Sequence, residues 1–416
     1  MDETDELFDY IDRPDAAFHW RHLGSREQSG VTIAQLHLTS QIWQHITWTH
    51  TIELYIPAQS RNPDIALLDI ATPPGEGQAE IGTLLASHTG LTCAFLSDIP
   101  NQPLYDDLVE DALIAYTFVR YLDTGDAAWP LLFPMVKSAV RAMDAIQQFM
   151  ITRTGVAPGG FVVTGASKRG WTTWLTAAVD PRIAGIAPMV YDNLNLMAQM
   201  PHQVEVFEGY SDKISDYTEQ GLPQRMQTPD GLRLTRMIDP YTYCDRLTMP
   251  KLIINGSNDP YWATDAINLY WHDLPGVKHL LDIPNVGHSL NDHERLYSAL
   301  YAFLTSIADD RSLPHLDWHT ENRPDEVVVT VVADEPAFAA RCWVAYAFGR
   351  DFRMAPWNEI EMVTGESITP DSVVYRATVP RPASGYMALY GELQFSREGL
   401  LFPLSTPVHI SGNSSA

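Results

Sequence analysis

A chain of 416 residues with 45% hydrophobic content has room for one large α/β domain and a smaller companion. Its 27 Lys and Arg against 52 Asp and Glu leave a net charge of −25, which repels nucleic acid and anionic membrane surfaces and excludes both as expected partners. The cysteines, Cys93, Cys244 and Cys342, are too few and too scattered for a disulfide framework or a zinc cluster, and no apolar run reaches the length of a membrane span.

The start, Met1-Asp2-Glu3-Thr4-Asp5-Glu6, is acidic and lacks the basic and apolar regions of a signal peptide. The expectation is a protein kept inside the cell, or one whose export signal has been removed. Residues 1–25 read as an acidic lead-in broken by Pro14. Val31 to Leu38 and Trp48 to Ile56 alternate apolar and polar residues, as half-exposed strands do, and suggest an antiparallel sheet edge. Ile65 to Ile70 is nearly continuous and apolar, the pattern of a strand buried on both faces. A turn-rich loop, Ala71-Thr72-Pro73-Pro74-Gly75-Glu76-Gly77, follows it. Residues 80–88 can form a helix, and Leu91 to Leu96 is the next buried strand. Asp107 to Leu122 has helical spacing, and Pro134 opens a helix running to about Met150, since Pro is tolerated in a first turn.

Phe161-Val162-Val163 is then a short buried strand leading into Gly165-Ala166-Ser167-Lys168-Arg169-Gly170. Small residues flanking the serine let a helix begin hard against a strand end and lift Ser167 to the tip of the turn, as in a nucleophile elbow. Arg169 stands where the G-x-S-x-G pattern has its second glycine. The competing reading is a turn serine that caps a helix. Trp171 and Trp174, on the helix after it, read as packing residues. Ile183 to Val190 is another buried run, so residues 65–190 alternate strand and helix, the signature of a parallel sheet covered on both faces.

Residues 191–236 break that rhythm. From Tyr191 the stretch is polar and aromatic, with Met197, Met200, His202, Phe207, Tyr210 and Tyr217, and it reads as a cap inserted above the strand ends. Tyr191 and His202 are the candidate substrate-pocket residues. Lys251 to Asp259 returns to a strand, a Gly/Ser/Asn loop and an acid. Ala263 to Trp271 is a predicted helix, Lys278 to Ile283 the last strand of the series, Pro284 to Ser289 its loop, and Asp292 to Ile307 a closing helix. Residues 308–324 look like a linker. Beyond them Val327 to Ala333, Cys342 to Phe348, Ser372 to Val379, Ala388 to Phe395 and Pro407 to Ile410 are short strands of a small all-β, sandwich-like domain.

Ser167, Asp259 and His288 each follow a buried strand at the end where parallel sheets place their ligands. Their order along the chain is that of the α/β-hydrolases. A serine hydroxyl needs an imidazole to take its proton, and a carboxylate to hold that imidazole in the right tautomer. The oxyanion hole needs two backbone donors. Lys168 N–H is the first by position, and Ala71 or Thr72 the second, since Pro73 and Pro74 have no N–H. The Lys168 and Arg169 side chains could attract a substrate carboxylate; the competing reading pairs them with surface acids. His288 and His293, and His45 and His50, are five apart, which does not put two metal ligands on one helix face. No metal or cofactor is expected.

The stretch Gly165 to Trp174 resembles the PhoPQ-activated pathogenicity-related family. The likeness extends through Asn101-Gln102-Pro103-Leu104, Glu110 to Thr117, Lys137 to Asp144, Asp239-Pro240-Tyr241, Asp245 to Lys251, His288-Ser289-Leu290 and Arg350-Asp351-Phe352-Arg353. It implies an α/β-hydrolase fold with a Ser/Asp/His site, in a group whose members are often exported and some of which look like dipeptidyl-peptidase relatives. Similar proteins carry a glycine-rich loop where this chain has Ala71-Thr72-Pro73-Pro74-Gly75, so their second oxyanion donor does not carry over.

The expected architecture is therefore an α/β-hydrolase domain over residues 1–310, doubly wound and mostly parallel with a cap at about 191–236, followed by a β-sandwich-like domain over 325–416. The expected activity is a serine hydrolase cleaving an ester or an amide of a small-molecule or peptide substrate through an acyl-enzyme. The alternative is a non-catalytic binding protein on the same scaffold. A metal-dependent hydrolase lacks a ligand cluster.

Overall fold

The computed structural model describes residues 6–71, 77–365 and 372–412. A short helix, α1 (Glu6–Asp12), precedes three antiparallel strands, β1 (His19–Gln28), β2 (Val31–Trp43) and β3 (Ile46–Pro57). The stretch expected as a lead-in thus contains a helix and a strand. β1 escapes a reading by pattern because it is an edge strand exposed almost throughout, with no apolar face to reveal it.

The buried series then runs β4 (Ile65–Ile70), α2 (Gln78–Thr89), β5 (Thr92–Leu96), α3 (Glu110–Thr124), α4 (Leu132–Thr154), β6 (Gly160–Ala166), α5 (Lys168–Val179) and β7 (Ile183–Met189). The cap is built from α6 (Leu196–Phe207), the short helices α7 (Ser215–Thr218) and α8 (Leu222–Arg225), and α9 (Pro229–Ile238). β8 (Lys251–Gly256), β9 (Lys278–Ile283) and α10 (His293–Ala308) complete it. The strand order is β1-β2-β3-β5-β4-β6-β7-β8-β9, and every pairing from β5·β4 to β8·β9 is parallel. This is the α/β-hydrolase sheet. Strands β5 and β8 are buried at every residue, the polar Thr92, Lys251 and Asn255 included, as strands covered on both faces are. One face is covered by α1, α3, α4, α5 and α9, the other by α2 and α10.

The helix expected over Ala263 to Trp271 does not form. Its place is taken by 3₁₀ turns at Ala266–Leu269 and Trp271–Asp273, interrupted at Tyr270, whose hydroxyl donates to buried Asp192 Oδ1 at 2.6 Å. A tertiary hydrogen bond here outweighs local helical spacing.

The C-terminal strands are β10 (Leu316–Asn322), β11 (Glu326–Ala333), β12 (Ala339–Ala347), β13 (Asn358–Glu361), β14 (Val363–Thr364), β15 (Val373–Pro380), β16 (Tyr386–Arg397), β17 (Leu400–Ser405) and β18 (His409–Gly412). β10 lies inside the expected linker; like β1 it is an edge strand with mostly polar exposed positions. β10, β11, β15 and β14 form a separate antiparallel sheet. β17, β16, β12 and β13 continue the hydrolase sheet, with β17 meeting β9 antiparallel at Ser405 and Leu280. Val327, Val329 and Val331 of the smaller sheet share one apolar cluster with Leu281 and Ile283 of β9 and Phe303 of α10.

Candidate active site

Ser167 sits between β6 and α5 at φ 60° and ψ −126°, a backbone conformation that a non-glycine residue adopts only when its surroundings enforce it. They do so from both sides. Ser167 N–H donates to Met189 O at the end of β7 at 2.9 Å, and Trp171 N–H donates to Ser167 O at 3.0 Å. A Cβ on Gly165 would stand 2.8 Å from both Cβ and O of Arg169, and one on Gly170 would stand 2.7 Å from Met189 O. The missing side chain of Gly165 thus makes the space into which Arg169 fits. Gly170, one residue later than in the usual pattern, gives the close approach to β7.

The Lys168 and Arg169 side chains are paired with acids, as the second of the two sequence readings had it, but in a buried cluster. Arg169 Nη1 and Nη2 bind Glu110 Oε2 and Oε1 at 2.6 and 2.7 Å, and its Nε donates to Ile99 O at 2.8 Å. Lys168 Nζ lies 2.8 Å from Glu110 Oε2 and 3.1 Å from Asp111 Oδ2. Burial pushes the Glu110 carboxyl up, but Arg169 and Lys168 outweigh it and hold it down at about 2. Gln102 Oε1 accepts Glu110 N–H at 2.7 Å, capping α3 where Val109 has no capping side chain. Trp171 and Trp174 are buried packing residues, 6% and 0% exposed.

Asp259 and His288 follow β8 and β9. His288 Nδ1 is 2.7 Å from Asp259 Oδ2, and Asp259 Oδ1 accepts Tyr261 N–H at 2.9 Å. His288 Nε2 is buried and has no hydrogen-bond partner, so no bond to Ser167 is formed in this state. The two loops are laced together by Asn258 N–H to Val286 O at 3.0 Å and Asn285 N–H to Ser257 Oγ at 2.9 Å.

A row of aromatic rings spans from His288 to the helix of Ser167. Tyr261 stacks on His288 at 4.1 Å, and contacts Trp262 at 5.7 Å; Trp262 meets Tyr191 at 6.0 Å, and Tyr191 stacks on Trp171 at 4.9 Å. Burial first, then the carboxylates of Asp111, Asp259, Asp216 and Glu110, push the Tyr261 phenol up to about 12. The cap is tied to both halves. Tyr217 donates to Asp111 Oδ1 at 3.0 Å, Gln203 Nε2 to Tyr261 O at 2.9 Å, and Ser211 Oγ to Pro260 O at 2.7 Å.

Among the remaining sequence candidates, Tyr191 is 4% exposed and packed in the aromatic row. His202 Nε2 lies 2.7 Å from Asp265 Oδ1, and Asp265 in turn binds Arg350 at 2.9 Å, so His202 belongs to a hydrogen-bonded network with the C-terminal region. Lys168 is the first residue of α5, where a backbone N–H has no intrahelical acceptor. Ala71 N–H donates to Leu96 O at 2.9 Å and is committed to the sheet. Thr72 lies outside the described residues. Among the described residues no group of three or more His, Cys, Asp or Glu is disposed to hold a metal, and no helix is long and apolar enough to cross a membrane. Sequence reasoning missed Tyr261, Asn258 and Asn285 as neighbours of the His–Asp pair. The only signal was their position in the two loops after β8 and β9.

A family profile described as PhoPQ-activated pathogenicity-related protein matches residues 7–353. The chain is 31% identical over 424 residues to autocrine proliferation repressor protein A of Dictyostelium discoideum, covering 94% of this chain and 85% of that protein. Among solved structures, an acetyl xylan esterase from Paenibacillus sp. R4 matches with a TM-score of 0.51 at 13% identity, over 72% of this chain and 95% of that one. Acetyl xylan esterase 1 from Thermoanaerobacterium sp. JW/SL YS485 matches at 0.46 and 13%, over 73% and 94%. Likeness at such identity speaks to the fold alone.

Proposed function

This chain belongs to the PhoPQ-activated pathogenicity-related protein family, and from that premise we propose that it is a serine hydrolase that cleaves an ester or amide through an acyl-enzyme. The observation that carries the reading is the 2.7 Å Asp259–His288 pair, whose outer nitrogen is unpartnered, at the same rim of the sheet as the strained turn of Ser167. Asp259 fixes the tautomer with the proton on Nδ1, which leaves Nε2 as the base. Ser167 Oγ attacks the substrate carbonyl as Nε2 takes its proton. The tetrahedral oxyanion is held by Lys168 N–H, with the loop after β4 as the expected source of a second donor. The imidazolium then protonates the leaving alcohol or amine. A water, deprotonated by the same nitrogen, hydrolyses the acyl-enzyme and frees Ser167.

The cations beside Ser167 are already neutralised by Glu110 and Asp111, so neither is free to bind a substrate carboxylate. This favours uncharged acyl groups, and short p-nitrophenyl esters are the first substrates to test beside aminoacyl and dipeptidyl nitroanilides. A fluorophosphonate probe is expected to label Ser167, and Ser167→Ala to lose both label and turnover. A folded wild-type protein that neither labels nor turns over any of these substrates sinks the reading. In that case the non-catalytic scaffold gains, a reading favoured by the commitment of Ala71 N–H to Leu96.

A further inference from the structure

Each loop of the His–Asp pair has an asparagine shortly before its functional residue, and both asparagines reach across to one C-terminal loop. Asn258 Nδ2 lies 3.1 Å from Phe352 O, 3.2 Å from Arg353 O and 2.9 Å from Ala355 O. Asn285 exchanges two hydrogen bonds with the backbone of Trp357: Nδ2 donates to its carbonyl at 2.9 Å, and Oδ1 accepts its N–H at 2.8 Å. The loop that receives them is itself anchored. Phe352 and Trp357 are 1% and 3% exposed and pack with Trp343, Tyr390 and Val408.

We propose that Asn258 and Asn285 are positioning residues through which the C-terminal segment 350–357 sets the geometry of Asp259 and His288. The inference rests on the serine-hydrolase reading above. Asn258 immediately precedes Asp259 in the chain, and its Oδ1 accepts from Ser257 Oγ at 3.1 Å, so both ends of its amide are held. Asn285 is in the left-handed region at φ 59°, a conformation that its exchange of bonds with Trp357 helps to hold. The loops are also bonded to each other through the backbone N–H groups of Asn258 and Asn285, so a shift at either asparagine is passed to both loops. A displacement of about 1 Å in a catalytic pair costs on the order of a hundredfold in rate.

Chemistry makes the idea separable from general destabilisation. Three carbonyl oxygens around Asn258 accept an amide NH₂ and repel a carboxylate, so Asn258→Asp keeps the shape and reverses the electrostatics. Asn268 supplies a control of the same kind, because its side-chain Nδ2 donates to Val408 O at 2.8 Å across the same seam, and not to the segment 352–357 that receives Asn258 and Asn285.

The test compares Asn258→Ala, Asn258→Asp, Asn285→Ala and Asn268→Ala in the full chain. It measures the second-order rate of fluorophosphonate labelling, kcat and KM on the best ester, the melting temperature, and the downfield NMR signal of the His288 Nδ1 proton. The expected result is a fall of about tenfold or more in labelling and kcat for the Asn258 and Asn285 variants. Asn258→Asp should be slower than Asn258→Ala, KM should change little, and the Nδ1 proton signal should be displaced. Asn268→Ala should lower the melting temperature comparably while labelling within about twofold of wild type. Labelling by Asn258→Ala and Asn285→Ala at the wild-type rate overturns the proposal, as does a loss that tracks melting temperature across all variants, Asn268→Ala included. A wild type that never labels is the failure of the serine-hydrolase reading instead. The Nδ1 proton then still decides the positioning: an unmoved signal in both alanine variants overturns it, and a displaced one upholds it.

Discussion

The phenol ring of Tyr261 lies 4.1 Å from the imidazole of His288, with the planes 29° from parallel. Under the proposed serine-hydrolase mechanism His288 would become an imidazolium during acyl transfer, and the face of an electron-rich ring attracts a cation by about 0.5–1 kcal/mol. Tyr261→Leu should therefore lower kcat about two- to fivefold. Tyr261→Phe, which keeps the face and loses only the hydroxyl, should stay close to wild type. Steady-state kinetics on one ester decides it: equal losses in both variants would assign the effect to the hydroxyl and not to the stack.

The elbow depends on Gly170 as closely as on the serine. A Cβ there would meet Met189 O at 2.7 Å and Tyr191 Cβ at 3.1 Å, and the first contact is backbone that cannot swing away. Gly170→Ala is expected to cost about 1–3 kcal/mol in urea unfolding, with loss of labelling at Ser167. An unchanged unfolding midpoint would show that β7 yields more easily than its hydrogen bonding suggests.

Arg169 and Glu110 should behave as a coupled pair. Arg169→Gln removes a two-pronged bond and leaves Glu110 with Lys168 and the Gln102 amide, at an expected cost of about 3 kcal/mol. Glu110→Gln should be similarly costly because it strands the Arg169 guanidinium and leaves Lys168 with Asp111 alone. A double-mutant cycle by chemical denaturation should return a coupling energy above about 1 kcal/mol; strict additivity would mean that the pair is not energetically linked.

Stability should respond to pH through two buried groups of opposite sign. Asp282 is 4% exposed, and burial pushes its carboxyl up to about 7 from an ordinary 3.8. The fold holds that proton more tightly than the unfolded chain, so its contribution is complete below pH 3.8 and is lost as the pH rises through 7. His50 is 1% exposed and burial lowers it to about 4 from 6.5, so its contribution is present above 6.5 and is lost as the pH falls through 4. Between pH 4.5 and 6.5 Asp282→Asn should remove a falling slope of about 1 kcal/mol per pH unit, and His50→Gln a rising slope of similar size. Unfolding midpoints measured across that range check both signs; slopes unaltered by either substitution would show that the groups titrate alike in both states.

The buried strands β4 to β9, the turn at Ser167, and the order Ser167, Asp259, His288 were all legible from the chain, because a buried parallel strand and a sharp turn each leave a local signature of apolar runs and small residues. β1 and β10 were not, since exposed edge strands carry no apolar face and exist only because β2 and β11 pair with them. The pairing of Arg169 with Glu110 joins residues 59 apart, and that of Asn285 with Trp357 joins residues 72 apart. Nothing in the sequence near either partner marks the other. The amino-acid sequence alone thus determines which side chains are delivered to the rim of the sheet, because delivery depends on strand and turn propensity. Only the tertiary structure decides what holds them there, because a hydrogen bond between distant loops is written in neither loop.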